Sequence, residues 1–222
     1  MAAGGDSSVI RRSTLRQQIA DALRDELLAG RLPSGHPFTV KEIADQYGVS
    51  ATPVREALLD LSAQGLLDVE QHRGFKVHAF TADDFRAMVE ARTLIIEGIF
   101  RSDADRALRA TPGQVLISIR RRAEEAERAA RAGDLDVLIG YDLRFWRELS
   151  SIVNNPYISD FLDRIRVQTW MFAVPLLRRE DDLKAHLWQG HSALADALLR
   201  HDLPAAQRLI AEYNEHSLAL VR

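Results

Sequence analysis

TVKEIADQYGVSATPVREAL, residues 39–58, reads as two short helices hinged at a single glycine. Thr39 followed three residues later by Glu42 is the capping-box arrangement, and it opens a helix over 40–47. Gly48 supplies the tight turn, Ser50 caps a third helix, and Val54, Ala57, Leu58 and Leu61 give that helix an apolar inner face. A helix that reads base edges keeps its outer face free of bulk and carries short donors beside a long arginine. Ser50 and Thr52 are such donors, and Pro53 sits in the first turn, where its missing N–H costs nothing. Arg55 has the reach for a bidentate contact with guanine, and Lys41 at the start of the preceding helix would meet a phosphate. Local chemistry alone leaves a second reading open, in which Arg55 pairs with Glu56 or Asp60 on an ordinary surface helix.

Working outward, the apolar positions Leu15, Ile19, Ala22, Leu23 and Leu27 predict a first helix from Thr14, ended by Gly30 and Pro33. Downstream of Gly65, LLDVEQHRGFKVHAF alternates β-branched and aromatic residues with polar ones around Arg73-Gly74, which predicts a two-stranded hairpin. Helix, helix, turn, helix, hairpin is the order of a winged helix-turn-helix, here over residues 14–78. In that architecture the third helix enters the major groove and the hairpin lies along the backbone or minor groove. Residues 1–13 read as a flexible arm with Arg11 and Arg12 available to an anion.

After a linker at 79–81, with Thr81 as a cap, strand texture is absent. Helical runs cover 82–109, 113–132, 134–152, 156–177, 181–200 and 203–221. The expected fold is mainly α: the winged helix-turn-helix plus an antiparallel six-helix bundle over 82–222. The charge-dense RRRAEEAERAARAG reads as a solvated helix face.

Composition sets the boundaries. At 222 residues, 46% hydrophobic and 27% charged, the chain suits one large or two modest folded domains. No apolar run reaches the roughly 18 residues of a membrane span and the N-terminus lacks a secretory core, so a cytoplasmic location is expected. The absence of cysteine excludes disulfides, iron–sulfur clusters and thiol catalysis, so any metal must be held by His, Asp or Glu. The net charge is −3, and residues 1–78 hold nine Lys/Arg against ten Asp/Glu, so nucleic acid would be bound through local contacts rather than bulk charge.

Residues 49–77, VSATPVREALLDLSAQGLLDVEQHRGFKV, resemble the GntR family of bacterial transcription regulators, whose motif runs approximately VSRTPVREAL, then L-x-x-x-GL and a wing with R-G. The resemblance implies contact with double-stranded DNA by Lys41, Ser50, Thr52 and Arg55 and by the wing residues His72, Arg73 and Gly74. Ala51 stands where the family usually has a base-contacting arginine, a loss of about 1 to 3 kcal/mol of discrimination. The helical remainder resembles the FCD domain of the FadR subfamily, in its shorter VanR-like branch. Asp142-Leu-Arg-Phe-Trp146-Arg-Glu-Leu149 leading to Asn155-Pro156 parallels the D-x-x-F-H-x-x-L stretch, and Gly190-His191 leads through Asp202 to Tyr213.

Relatives of this type commonly hold a divalent metal with one Asp and three His. Here the matching positions are Asp142, Trp146, His191 and Tyr213, with His216 one turn beyond Tyr213, so two of the four ligands remain. The remnant candidates for a metal are Asp142, His191 and His216, with His186 within reach, and no resident cofactor is expected. The resemblance implies instead an effector pocket of Arg92, Asp142, Trp146, His191, Tyr213 and His216, more aromatic than the family's own. On the bland reading His191 is a satisfied core histidine and Asp142 pairs with Arg92.

The function expected is a homodimeric repressor on a palindromic operator, released by a small-molecule effector such as an organic acid. A small-molecule enzyme using Asp142, His191 and His216 is the alternative, although no nucleophile elbow, phosphate-cradling loop or complete ligand set supports it. A bundle that only dimerises is a third possibility.

Overall fold

The computed structural model describes residues 14–71, 73–102 and 104–222, so the arm at 1–13 and the wing residue His72 lie outside the described residues. The chain divides into two compact units: one of residues up to Leu27 with Gly35–His78, the other of Leu28–Ser34 with Ala79–Arg222.

In the first unit, α1 (Leu15–Leu28) and β1 (Pro37–Phe38) precede α2 (Val40–Tyr47), α3 (Ala51–Ala63), β2 (Leu67–Glu70) and β3 (Gly74–Val77). The capping box forms: the Thr39 backbone N–H donates to the Glu42 carboxylate at 2.6 Å, and the Glu42 N–H donates to the Thr39 hydroxyl at 3.2 Å. These bonds hold the Glu42 carboxyl below the usual range. Gly48 ends α2 at φ 64°, in the left-handed conformation the turn requires. Val54, Ala57, Leu58 and Leu61 are fully buried, as are Leu23 of α1 and Ile43 of α2 within a few per cent. Leu15, by contrast, is exposed.

The wing has three strands in the order β1-β3-β2, one more than the alternation predicts. The extra strand is two residues long and begins with a proline, which is tolerated only at a sheet edge and reads in sequence as a turn. Pro37 pairs with Lys76 and Phe38 with Phe75, and the two phenylalanine rings stack at 6.4 Å. Gly74 sits at φ 102°, where a Cβ would fall 2.5 Å from the Phe38 carbonyl oxygen. It is the residue that lets β1 close on β3.

The second unit is helical: α4 (Ala82–Ser102), α5 (Ala104–Ala110), α6 (Gly113–Ala132), α7 (Leu135–Ser151), α8 (Pro156–Leu177), α9 (His191–Leu199) and α10 (Leu203–Leu218). Helices α4 and α5 are the described parts of the first predicted run, on either side of Asp103. Within the first run the Ser102 hydroxyl turns back to donate to the Gly98 carbonyl oxygen at 2.8 Å. The fifth begins ten residues late, after a single 3₁₀ turn at Leu183–His186, because the intervening join carries Trp188 inward. Thr81, Asp134, Asn155 and Asp202 cap their helices with side-chain acceptors, and Gly133 ends α6 at φ 75°.

Helix α6 packs on α7 and α9, α7 on α8, and α4 on α8 and α10. Glu127 of α6 ties in α9 by accepting from the Ser192 backbone N–H at 3.1 Å. No helix among the described residues is long and apolar enough to cross a membrane.

Gly74→Ala is expected to lower stability by about 2 kcal/mol, because strain in the backbone adds to the clash with Phe38. Gly35→Ala, at φ 74° with no atom within 4 Å of the added methyl, should cost clearly less. Urea midpoints of the two variants compare the effects, and equal midpoints would show that β1 does not approach β3 this closely.

Candidate nucleic-acid interface and bundle site

The N-terminal end of α3 is open. Ser50 adopts an N-cap conformation, yet its hydroxyl makes no capping bond and it stays exposed, as do Ala51, Thr52 and Arg55. Of the two alternative partners for Arg55, Asp60 pairs with Arg16 of α1 at 3.1 Å, and no ion pair joins Arg55 to Glu56 among the described residues. Arg24 is held by Asp21 at 2.8 Å and Lys76 by Glu70 at 3.2 Å. Among the described residues, Lys41, Arg55 and Arg73 are the Lys and Arg side chains of this unit without an ion pair, and all three are exposed. They stand at the start of α2, in the first turns of α3 and at the hairpin tip, and Gly74 follows Arg73 half-buried.

The second constellation is built around Asp142 of α7, 1% exposed. Its Oδ1 accepts from the Trp146 indole at 2.9 Å, one turn along, and from His191 Nε2 at the start of α9, also at 2.9 Å. Its Oδ2 accepts from the Trp170 indole of α8 at 2.8 Å. Burial alone would push this carboxyl up, but the His191 bond and charge, the Arg166 charge and the Trp170 bond outweigh it and hold it below the usual range.

Around it, Arg166 donates to the Tyr213 hydroxyl at 3.1 Å and lies 4.0 Å over the Trp146 ring. Arg92 donates to Asn214 at 3.0 Å and lies 4.8 Å over Tyr213. Burial, reinforced by Arg166, pushes the Arg92 guanidinium down to about 10, against the pull of Tyr213 and Asp142, so it stays charged at neutral pH. Burial and Asp142 push the Tyr213 phenol up. The bland pairing of Asp142 with Arg92 is therefore not made as a contact. Since a carboxylate only accepts, His191 Nε2 carries the hydrogen, and Nδ1 is buried without a partner among the described residues.

This donor set does not fit a metal ion. Both Asp142 oxygens are occupied by N–H groups, an indole nitrogen offers no lone pair, and Tyr213 is held as a neutral phenol. His216 is engaged elsewhere through Nε2, which donates to the His186 carbonyl oxygen at 3.0 Å. Among the described residues no three His, Asp or Glu side chains converge.

Arg92, Asp142, His191, Tyr213 and His216 line one cavity of about 50 Å³, whereas Trp146 lines a different one. A volume of 50 Å³ holds one or two water molecules, far below the roughly 300 Å³ of a metabolite pocket. Its filler is Trp188, whose ring centroid lies 4.7 Å from His191, 5.0 Å from Tyr213 and 6.4 Å from Trp146. A Cβ on Gly190 would fall 2.4 Å from that indole.

The residue pattern did not single out Arg166, Trp170 or Trp188. Arg166 and Trp170 are one turn apart on the largely apolar α8, which was the available signal, while Trp188 lies in a join with no period to place it.

An open helix end beside a three-stranded wing, on a chain whose other unit is a helical bundle, defines a winged helix-turn-helix regulator. Residues 15–77 match the family described as bacterial regulatory proteins, gntR family, and residues 84–216 match the FCD domain. The chain belongs to the GntR family, in the group that carries an FCD domain.

It is 27% identical over 207 residues to the "Probable D-xylose utilization operon transcriptional repressor" of Paenarthrobacter nicotinovorans, covering 93% of this chain and 88% of that one. It is 26% identical to the HTH-type transcriptional regulator McbR of Escherichia coli K12, covering 94% and 93%. The solved structure of E. coli McbR/YncC superposes with a TM-score of 0.78 at 23% identity, covering 93% of this chain and 96% of that one, a likeness of fold. These domains and relatives are those of transcriptional regulators and not of enzymes, which sets aside a catalytic role for Asp142, His191 and His216.

Asp142→Asn is expected to destabilise the protein by about 3 to 5 kcal/mol at pH 7, since it leaves two buried guanidinium groups without their counter-charge. Because the carboxyl is depressed in the folded state, its contribution is present above the ordinary aspartate value and is lost as pH falls through the folded one. The gap in urea midpoint between parent and variant should therefore narrow from about pH 5 downward. A gap constant with pH would contradict the charged state.

Proposed function

We propose that the chain is a homodimeric transcriptional repressor that acts in the cytoplasm, binds a palindromic operator and leaves it when a small organic acid enters the helical unit. Residues 14–78 are the reading domain, 79–81 the linker and 82–222 the effector-binding and dimerising domain. The observation that carries the reading is the division of cations in the first unit: Arg16, Arg24 and Lys76 are neutralised, while Lys41, Arg55 and Arg73 are exposed and unpaired among the described residues. Exposed, unpaired cations at two helix starts and a wing tip are what backbone and base-edge contacts need.

Lys41 and Arg73 serve phosphates, with Gly74 allowing close approach and His72 assigned to the wing by resemblance. Ser50, Thr52 and Arg55 read bases. The palindrome follows because one short helix covers few base pairs, and regulators of this family commonly act as dimers. The description of the Paenarthrobacter relative as a repressor supports the sign of regulation.

For the effector, Arg92, Asp142, His191, Tyr213 and His216 form the pocket, with no metal, while Trp146 lines the neighbouring cavity. The buried Arg92 guanidinium on its wall favours an anionic guest, and the unpartnered His191 Nδ1 offers it a further polar contact. Entry requires Trp188 to leave the cluster, so the effector acts by favouring the conformation in which that ring is out.

Selection of bound DNA from a random pool tests the reading head. The parent should recover a palindrome and Arg55→Ala should lose it, with a cost of about 1 to 3 kcal/mol per half-site at the base concerned. Affinity for the recovered site should fall steeply with salt as phosphate contacts release counterions. Equal enrichment by parent and variant would remove Arg55 from the reading role.

A further inference from the structure

Beside Trp146 the helical unit encloses a second cavity, of about 80 Å³, outside the pocket assigned to the effector. Its walls are largely hydrocarbon, with Phe100 of α4, Leu162 of α8 and Ile210 of α10 among them, and among the described residues one charged group borders it: Arg166, 2% exposed. That guanidinium has a hydrogen bond to Tyr213 and an aromatic face beneath it, yet no carboxylate lies within 4 Å among the described residues. A guanidinium carries five N–H hydrogens in a fixed fork that matches a carboxylate, and a buried cation is ordinarily paired. Asp142, the nearby anion, is committed to three other donors.

The cavity also has an approach. A groove of about 690 Å³ between α5 and the end of α7 shares Ala107, Ile152 and Val153 with its wall, and Ser151 and Asn154 line the groove farther out.

We propose that this cavity is a binding site for a straight-chain apolar monocarboxylate. Its carboxylate sits on Arg166, its hydrocarbon lies against Phe100, Leu162 and Ile210, and any longer chain extends past Ala107 and Ile152 into the groove. The apolar lining excludes sugars and di- or tricarboxylates, whose second polar group would be buried without a partner. An apolar cavity of about 150 Å³ is known to take up a benzene-sized guest, so 80 Å³ admits only a few carbon atoms without widening. The site is separate from the pocket behind Trp188 and does not depend on that pocket being the effector site.

The test is calorimetric titration of the full chain, without DNA, with butanoate, hexanoate and octanoate, and with hexanamide as the uncharged match. The acids should bind, hexanoate about ten-fold more tightly than the amide, as a charge-assisted bidentate contact requires. Arg166→Met should abolish the difference between acid and amide. Ala107→Phe, a change at a half-buried position in the shared wall, should weaken both ligands while leaving the fold intact by circular dichroism, so the site remains testable if Arg166→Met does not fold.

The assignment is overturned if none of the acids binds, if acid and amide bind alike, or if Ala107→Phe leaves hexanoate binding unchanged. Because DNA is absent from the titration, failure here leaves the reading of α3 untouched, and failure of operator selection leaves this site untouched.

Discussion

The helical unit depends on one buried carboxylate. Asp142 draws N–H groups from its own helix, from α8 and from α9 to a single pair of oxygens, fixing three helices at hydrogen-bond precision where apolar packing alone would leave their rotation loosely defined. Its charge also makes tolerable the presence of Arg92 and Arg166, which are both almost fully buried. Remove the carboxylate and two guanidinium groups, 4.8 and 5.5 Å from the centre of the Tyr213 ring, lose that offset. The Trp146 indole and the Tyr213 phenol in place of two imidazoles are thus more than filler: the first gives a donor to Asp142 and a π-face to Arg166, the second a π-face to Arg92.

The two units differ in how far their sequences disclose them. The helix-turn-helix was legible because its signals are local: the Thr39–Glu42 box, Gly48 and the Val54, Ala57, Leu58, Leu61 face each act within a few residues, and each is present as expected. The edge strand Pro37–Phe38 was not legible, since two residues carry no alternation and a proline signals a turn. The proposed capping role of Ser50 was only half met; the residue holds the cap position but keeps its hydroxyl free, which suits a donor needed elsewhere.

In the bundle, Asp142, Trp146, His191 and Tyr213 were singled out only through resemblance, as lost or retained metal ligands. Their actual chemistry depends on partners 28 to 49 residues away, Trp170 and His191 for Asp142 and Arg166 for Tyr213. Periodicity places such residues on an inner face but does not say which of them meet. Trp188 was invisible for a further reason: a helix was expected across 181–190, and a ring on a regular helix would not be free to turn into the cluster as this one does.

A closed bundle with small cavities bears on how an effector could act. A ligand shifts an equilibrium only by its different affinity for the two states. Displacing Trp188 removes three ring contacts, with His191, Tyr213 and Trp146, and uncovers an imidazole nitrogen that has no partner in the closed state. A guest that offers an anion to Arg92 and a polar group to His191 Nδ1 replaces those losses with contacts that exist only when the ring is out, so its whole binding energy counts toward the open state. An uncharged apolar guest of the same size would recover the ring contacts but leave the nitrogen unpaired. The discrimination between them comes from groups that are buried, polar and unsatisfied before the ligand arrives, and it is set by the same carboxylate that holds the helices together.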